Sequence, residues 1–314
     1  MKKIGRLKKV NIRDLWQGEA SEFTPWLAKE ENVDLLSETI GIELEVISEE
    51  KSVGPFRADV LCKNTLDDSY VLIENQLEKT DHNHLGQIMT YAAGLEAVTI
   101  IWISREFTEE HRAAMDWLNR ITNETIRFFG IEVEAYRIAD SLPAPLFQVI
   151  SQPNDWAKAV KDTSRKTELT PAKSLNLEYW TSMKEYFENN GAKLRSQKPL
   201  PQHWTNFAIG RSNFHMAAVS SVRDNFIRVE FLINGEEAKN RFDILKEKFE
   251  DESRVKIDKD IQWEKLEERK VSWVYIQKSA DVNDKNDWSH QFDWFLEKLE
   301  KMDSFFRPKI KILK

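Results

Sequence analysis

The chain has 314 residues, of which 41% are hydrophobic and 32% are charged, and its formal net charge is −7. This length favours two domains, and the single cysteine, Cys62, excludes an internal disulfide framework and any CxxC metal motif. No apolar run approaches the ~18 residues of a membrane span, and the basic N-terminus lacks the apolar stretch of a secretion signal. We therefore expect a cytoplasmic protein that does not associate with membranes.

The charge is divided unevenly along the chain. Residues 1–160 hold 17 Lys and Arg against 27 Asp and Glu, whereas residues 161–314 hold 29 against 26. Two unrelated solvated surfaces would explain this division. The other interpretation assigns metal chemistry to the acidic half and polyanion contacts to the second half.

The first half predicts the element order α-β-β-β-α-β-α-β. Its first helix spans residues 21–42, with Thr24 as N-cap, Pro25 at the first helical position, a break near Asn32 and Gly41 after its end. The elements that follow are strands at 42–50, 55–64 and 70–77, a helix at 82–97, a strand at 98–104, a helix at 108–122 capped by Thr108, and a strand at 131–138.

The second and third strands predict a pair of facing carboxylates. If the hairpin pairs Lys63 with Tyr70, the same register places Asp59 opposite Glu74. Gln76 shares a face with Glu74, because strand side chains alternate. Two opposed acids repel each other unless a cation neutralises them, and oxygen ligands of this kind suit Mg²⁺ or Mn²⁺.

The helix at 82–97 carries a polar stripe beside this pair. His84, Gln87 and Tyr91 stand at i, i+3 and i+7, so they share one helical face. The stripe either faces the acid pair or forms the polar side of an ordinary surface helix. We interpret His82 as a loop or capping residue.

The second half follows a linker at 156–173, which is rich in Lys, Thr, Ser and Pro. It reads as an α+β domain, residues 174–314. Its predicted elements are a helix at 175–191, strands at 203–211, 213–222 and 225–235, a helix at 236–250, a strand at 269–278 and a helix at 288–306. We expect most of its tryptophans in the core, with a few beside basic residues able to stack on bases.

The first half, residues 1–155, resembles the PD-(D/E)XK nuclease superfamily. The resemblance rests on the order α-β-β-β-α-β, on Asp59, on the motif "ENQ" at residues 74–76, and on "QIMTY" at residues 87–91, which is similar to the helix of the RecB-like branch. It implies a restriction-endonuclease-like α/β fold. The second half resembles an uncharacterised domain found at the C-terminus of bacterial proteins that begin with a nuclease-like module.

The resemblance also implies roles for individual residues. Asp59, Glu74 and the main-chain carbonyl of Asn75 would bind the divalent metal, and Glu38 would be the assisting helix acid. Gln76 stands where the family usually has lysine, so it could orient the attacking water but would add no positive charge.

The sequence thus predicts a nuclease that uses Mg²⁺ or Mn²⁺ to hydrolyse phosphodiesters, with DNA the favoured substrate. A catalytically degenerate module that binds nucleic acid or a protein stays open. A homodimer stays open as well.

Overall fold

The computed structural model describes residues 4–49, 52–53, 56–94, 98–122, 126–153 and 170–313. The chain divides into two compact units, one formed by Met1–Asn64 with Ser69–Arg165 and the other by Thr65–Asp68 with Lys166–Lys314. Most of the predicted linker lies outside the described residues, so its bounds stay a prediction. Within the described ranges, no helix is both long enough and apolar enough to cross a membrane.

The first unit is built on a mixed sheet. Its strands are β1 (Leu7–Val10), β2 (Leu44–Glu49), β3 (Ser52–Val53), β4 (Phe56–Arg57), β5 (Val60–Asn64), β6 (Tyr70–Lys79), β7 (Val98–Glu106), β8 (Arg127–Ile138) and β9 (Ala144–Ser151). Seven of them form one sheet in the order β1-β8-β7-β6-β5-β2, with β9 also paired to β8, while β3 and β4 form a separate hairpin. The strands β6, β7 and β8 run parallel, and β2, β5 and β6 form an antiparallel meander.

Helices cover both faces of this sheet. They are α1 (Thr24–Leu27), α2 (Glu30–Ile40), α3 (His82–Gly94) and α4 (Glu109–Ile121). Because side chains alternate along β6, Ile73 packs in the core that includes α1 and α2, and Leu72 packs in the core that includes α3 and α4. Cys62 is buried in the α1 and α2 core, as core filler should be, and burial raises the pKa of its thiol to about 12.

The order α2-β2-β5-β6-α3-β7 confirms the predicted α/β core. Sequence reasoning missed two of the strands, β1 and β9, which flank β8 in the sheet. Neither segment has a clean two-residue alternation, and the tertiary pairing with β8 makes both of them strands.

The predicted start of the first helix is wrong. Thr24 already has helical dihedrals after a π-helical turn at Glu19–Phe23, and its hydroxyl donates to Asn75 Oδ1 at 3.1 Å instead of capping the helix. The helix is broken near Asn32, as predicted, and the break falls at Lys29, which is extended. Asn32 Nδ2 donates to the carbonyl of Trp26 at 2.6 Å, so it closes the end of α1. Gly41 ends α2 with a positive φ of 73°, as predicted.

The second unit is an α+β domain with one five-stranded antiparallel sheet, in the order β10-β11-β12-β14-β13. Its elements are α5 (Pro171–Asn189), β10 (Trp204–Ala208), β11 (Phe214–Ser221), β12 (Phe226–Asn234), α6 (Ala238–Lys256), β13 (Gln262–Glu264), β14 (Val271–Ser279) and α7 (Trp288–Ile310). Residues from α5, α6 and α7 share a single hydrophobic core with one face of the sheet. Trp180, Trp263 and Trp288 are buried in that core.

Candidate acidic site of the first unit

The β5–β6 hairpin has the predicted register. Lys63 pairs with Tyr70 and Val60 pairs with Ile73, where the ladder ends; extended by one position, the same register would place Asp59 opposite Glu74. Asp59 lies in a bend just before β5, at the point where β6 continues without this partner. Asp59 nevertheless lies close to Glu74, because its carboxylate contacts the main-chain N–H of the next residue, Asn75.

Asp59 is held by the strand beside it. Its Oδ2 accepts a hydrogen bond from the main-chain N–H of Asn75 at 2.8 Å and another from Asn75 Nδ2 at 2.9 Å. Two hydrogen bonds of this kind fix the position of the carboxylate. The Asn75 side chain is fully buried and links Asp59 to Thr24 on the other side of the sheet.

Glu74 is a buried acid, with 4% of its surface exposed. Burial, together with the negative charges of Asp59 and Glu19, raises its pKa from 4.5 to about 8. Among the described residues, its Oε2 has no hydrogen-bond partner. A buried carboxyl with an unpaired oxygen and two acidic neighbours is the kind of group that a cation stabilises.

Glu19 is the site residue that sequence reasoning missed. It begins the π-helical turn before α1, and its carboxylate accepts a hydrogen bond from the main-chain N–H of Leu77 in β6 at 2.7 Å. The predicted helix acid, Glu38, is exposed on α2. The acid that acts on Glu74 from the N-terminal segment is therefore Glu19.

Gln76 is buried, and both ends of its amide are engaged. Its Nε2 donates to the carbonyl of Lys79 at 2.6 Å and lies 3.3 Å from Asp81 Oδ2. Its Oε1 accepts from the indole N–H of Trp102 at 2.9 Å. These contacts fix the amide within the protein, so in this conformation Gln76 stabilises the end of β6.

The polar stripe of α3 divides between buried and exposed positions. Tyr91 is 4% exposed, and burial with the charges of Glu74 and Asp59 raises its pKa to about 12, so it lies near the acid pair. Gln87 is exposed, as the interpretation of the stripe as the polar side of a surface helix expects. The buried side of α3 is set by Ile88 and Tyr91, and Gln87 falls at its border.

His84 belongs to the start of α3. Its main-chain N–H donates to Asp81 Oδ1 at 2.9 Å, and its ring Nδ1 lies 2.9 Å from Asp81 Oδ2. Asp81 is thus the N-cap of the helix. His82 Nδ1 lies 3.0 Å from Nε2 of the buried His111, whose Nδ1 contacts the Thr80 hydroxyl at 2.8 Å.

The acids fit a divalent cation by charge and burial, but the described residues contain no cluster of three or more His, Cys, Asp or Glu side chains arranged to hold a metal. The fit rests on the unpaired oxygen of Glu74 and on the neighbouring charges of Asp59 and Glu19. The protein thus combines an α/β unit that carries a buried acidic site with a separate α+β unit.

Comparison with known proteins identifies only the second unit. A family model described as a domain of unknown function, DUF4268, matches residues 175–310. This match agrees with the expected uncharacterised C-terminal domain, whereas the PD-(D/E)XK resemblance of the first unit stays a prediction. No curated protein and no solved structure matches the chain.

Proposed function

We propose that the protein is a metal-dependent nuclease that hydrolyses phosphodiester bonds, with DNA as the favoured substrate. The observation that supports it is the buried carboxyl of Glu74, whose Oε2 is unpaired among the described residues beside Asp59 and Glu19. A site this acidic repels a phosphate unless a cation lies between them. Bound Mg²⁺ or Mn²⁺ would lower the pKa of a water molecule and stabilise charge on the phosphate.

The residues of this chain would divide that work. Glu74, Asp59 and the main-chain carbonyl of Asn75 would hold the cation, and Glu19 would add a third negative charge. The two hydrogen bonds from Asn75 keep Asp59 in place before the cation arrives. Gln76 would keep the end of β6 rigid through Trp102 and Lys79.

The test is cleavage of single- and double-stranded DNA and RNA with Mg²⁺ or Mn²⁺. Glu74→Gln should abolish cleavage, because it removes the charge that holds the cation but keeps the size of the side chain. Gln76→Ala should reduce the rate by about 10²-fold or less, because it loosens the end of β6 but removes no charge that holds the cation. Glu74→Gln purified in parallel is the control for a contaminating nuclease, and equal cleavage by it and the wild type would refute the proposal.

A second candidate is a nuclease-fold module that binds nucleic acid or a protein partner without cutting. The engaged amide of Gln76 favours it, because no lysine charge is supplied at this position. Binding of nucleic acid in EDTA by a wild-type protein that cuts none of the four substrates would establish it in place of the nuclease.

A further inference from the structure

One long segment of the second unit contains no acidic residue. Residues 189–223 hold five Lys or Arg, two His and no Asp or Glu. The chain as a whole has 53 acids in 314 residues, so about six would be expected in a segment of this length. In a protein with a net charge of −7, this segment by itself carries a positive charge.

The segment places cations along one edge of the sheet. Ser196 forms an isolated antiparallel bridge with Phe207, and the N–H of Gln197 donates to the carbonyl of Asn206 at 3.1 Å. The chain around residues 196–197 therefore runs beside β10, the first strand of the sheet. The side chains of Lys193, Arg195 and Lys198 are exposed there. We call these three side chains the basic edge.

Trp204 lies next to the basic edge, on the face of β10 that is turned away from the core. Its neighbour Thr205 is buried, and Phe207 belongs to the core, so strand alternation assigns Trp204 to the opposite face. Trp204 is partly exposed, and the His203 ring meets it edge-on with centroids 4.6 Å apart. A partly exposed indole beside cations can stack on a nucleic-acid base.

The same face of the sheet continues toward further aromatic rings. Trp204 pairs with Val219, and Val219 pairs with Arg228, so Arg228 lies two strands, about 10 Å, from Trp204. The Arg228 guanidinium lies 4.6 Å from the centroid of the Tyr275 ring and 4.8 Å from that of Phe226.

The charge of Arg228 is engaged in contacts within this face. Arg228 forms a salt bridge with the buried Glu230 at 3.1 Å, and it donates to Gln277 Oε1. The guanidinium therefore holds the aromatic rings in place. Contacts with a polyanion would come from the basic edge, and contacts with bases from the rings.

We propose that this face of the second unit binds single-stranded nucleic acid, with phosphates along the basic edge and a base stacked on Trp204. A single strand exposes its bases to flat rings, whereas a duplex hides them. The inference rests on the proposed function only in naming single-stranded nucleic acid as the substrate class of the acidic site.

The first test measures the binding of fluorescent 20-nucleotide dT and U strands to the full chain in EDTA across a salt series. The triple variant Lys193→Gln, Arg195→Gln and Lys198→Gln should bind at least tenfold more weakly. A plot of the logarithm of the association constant against the logarithm of salt concentration has a negative slope. The triple variant should make that slope less steep by about 2, since each lost phosphate contact contributes ~0.7 for a single strand.

The matched control carries the same change of charge on α6, as Lys246→Gln, Lys248→Gln and Lys256→Gln. This helix intersperses its lysines with acids such as Glu247 and Glu250. The control should bind at close to the wild-type affinity. An equal loss in both triple variants would overturn the proposal, because it would reduce the effect to net charge.

The second test isolates stacking. Trp204→Ala should weaken binding of the single strand about tenfold, and Trp204→Phe should restore most of the loss, because a ring remains. Trp117→Ala, which removes a half-exposed tryptophan of α4, is the control and should leave the affinity unchanged. Wild-type affinity of Trp204→Ala, or tighter binding of duplex than of single strand, would contradict the proposal.

Binding and cleavage fail separately in these assays. A chain that binds single strands in EDTA through Trp204 but cuts nothing with Mg²⁺ refutes the nuclease and leaves the binding surface standing. A chain that cuts, but whose Trp204 and basic-edge variants bind and cut like the wild type, refutes the binding surface and leaves the nuclease standing.

Discussion

Glu74 is a carboxyl whose protonation differs between the folded and the unfolded chain. In the fold its pKa is raised from 4.5 to about 8 by burial and by the charges of Asp59 and Glu19. Between these two values the folded chain binds more protons than the unfolded chain. Stability from this group is therefore fully present below pH 4.5, and it is lost as the pH rises through about 8.

This difference predicts a pH dependence of stability without metal. From pH 5 to pH 8 in EDTA, the free energy of unfolding of the first unit should fall by an amount on the order of a few kcal/mol. The Glu74→Gln side chain cannot ionise, so this variant should not show that decline. In the wild type, excess Mg²⁺ should reduce the decline, because a cation favours the ionised acid. Urea denaturation at several pH values measures this, and parallel pH profiles for wild type and variant would contradict it.

At the residue scale, the sequence revealed the pair Asp59 and Glu74 because both lie in one hairpin. Glu19 could not be found in this way. Its contact with Leu77 spans 58 positions, and it lies in an irregular turn without periodicity. Gln76 was visible in the sequence. The residue that donates a hydrogen bond to its side-chain Oε1, Trp102, lies on a neighbouring strand whose register only the fold defines.

At the scale of elements, the junction between β6 and α3 connects the acidic site to a helix start. Asp81 caps α3 through the His84 N–H at 2.9 Å, and its Oδ2 lies 3.3 Å from Gln76 Nε2. One carboxylate therefore orders the first turn of α3 and the end of β6 together.

Replacement of Asp81 should loosen both elements. Asp81→Ala should lower the free energy of unfolding by about 1–2 kcal/mol, the usual loss for an N-cap. Asp81→Asn keeps an oxygen that can accept from the His84 N–H, so it should lose only a small part of this. Chemical denaturation measures the totals, and hydrogen exchange at His84 locates the change. Equal losses in the two variants would show that the charge of Asp81, and not the cap, is what stabilises the junction.

The sequence predicted the ends of helices and strands where a local rule sets them. It missed those ends that are set by tertiary contacts. Thr108 accepts from the His111 N–H and caps α4, as the sequence indicates. Thr24 is also a threonine, but its hydroxyl donates a hydrogen bond to Asn75 Oδ1 and does not cap a helix. The short strand β13 was missed because its three residues are strand only through pairing with β14.

At the scale of the whole molecule, the two units have separate hydrophobic cores among the described residues. The first unit carries the acidic site, and the second carries the acid-free segment at residues 189–223. The sequence predicted this organisation because each unit carries its own apolar periodicity.

Separate cores predict that changes in the two units act independently. Glu74→Gln should leave the metal-free affinity for a single strand unchanged, and Trp204→Ala should leave the stabilisation by Mg²⁺ unchanged. For each quantity, the free-energy change in the double variant should equal the sum of the changes in the two single variants within about 0.5 kcal/mol. Fluorescence anisotropy and thermal denaturation measure the two quantities, and a larger coupling energy would contradict the independence of the units.

The single cysteine makes the hairpin of Asp59 and Glu74 observable in the native protein. Cys62 is fully buried on β5, opposite Val71 of β6. A thiol-alkylating reagent can reach it only when the first unit opens, since the folded side chain is covered and its pKa is about 12. The alkylation rate under native conditions therefore reports the opening equilibrium of the strand pair that carries both acids, without any introduced label. Occupation of the acidic site by a cation should slow that reaction in proportion to the stability it adds.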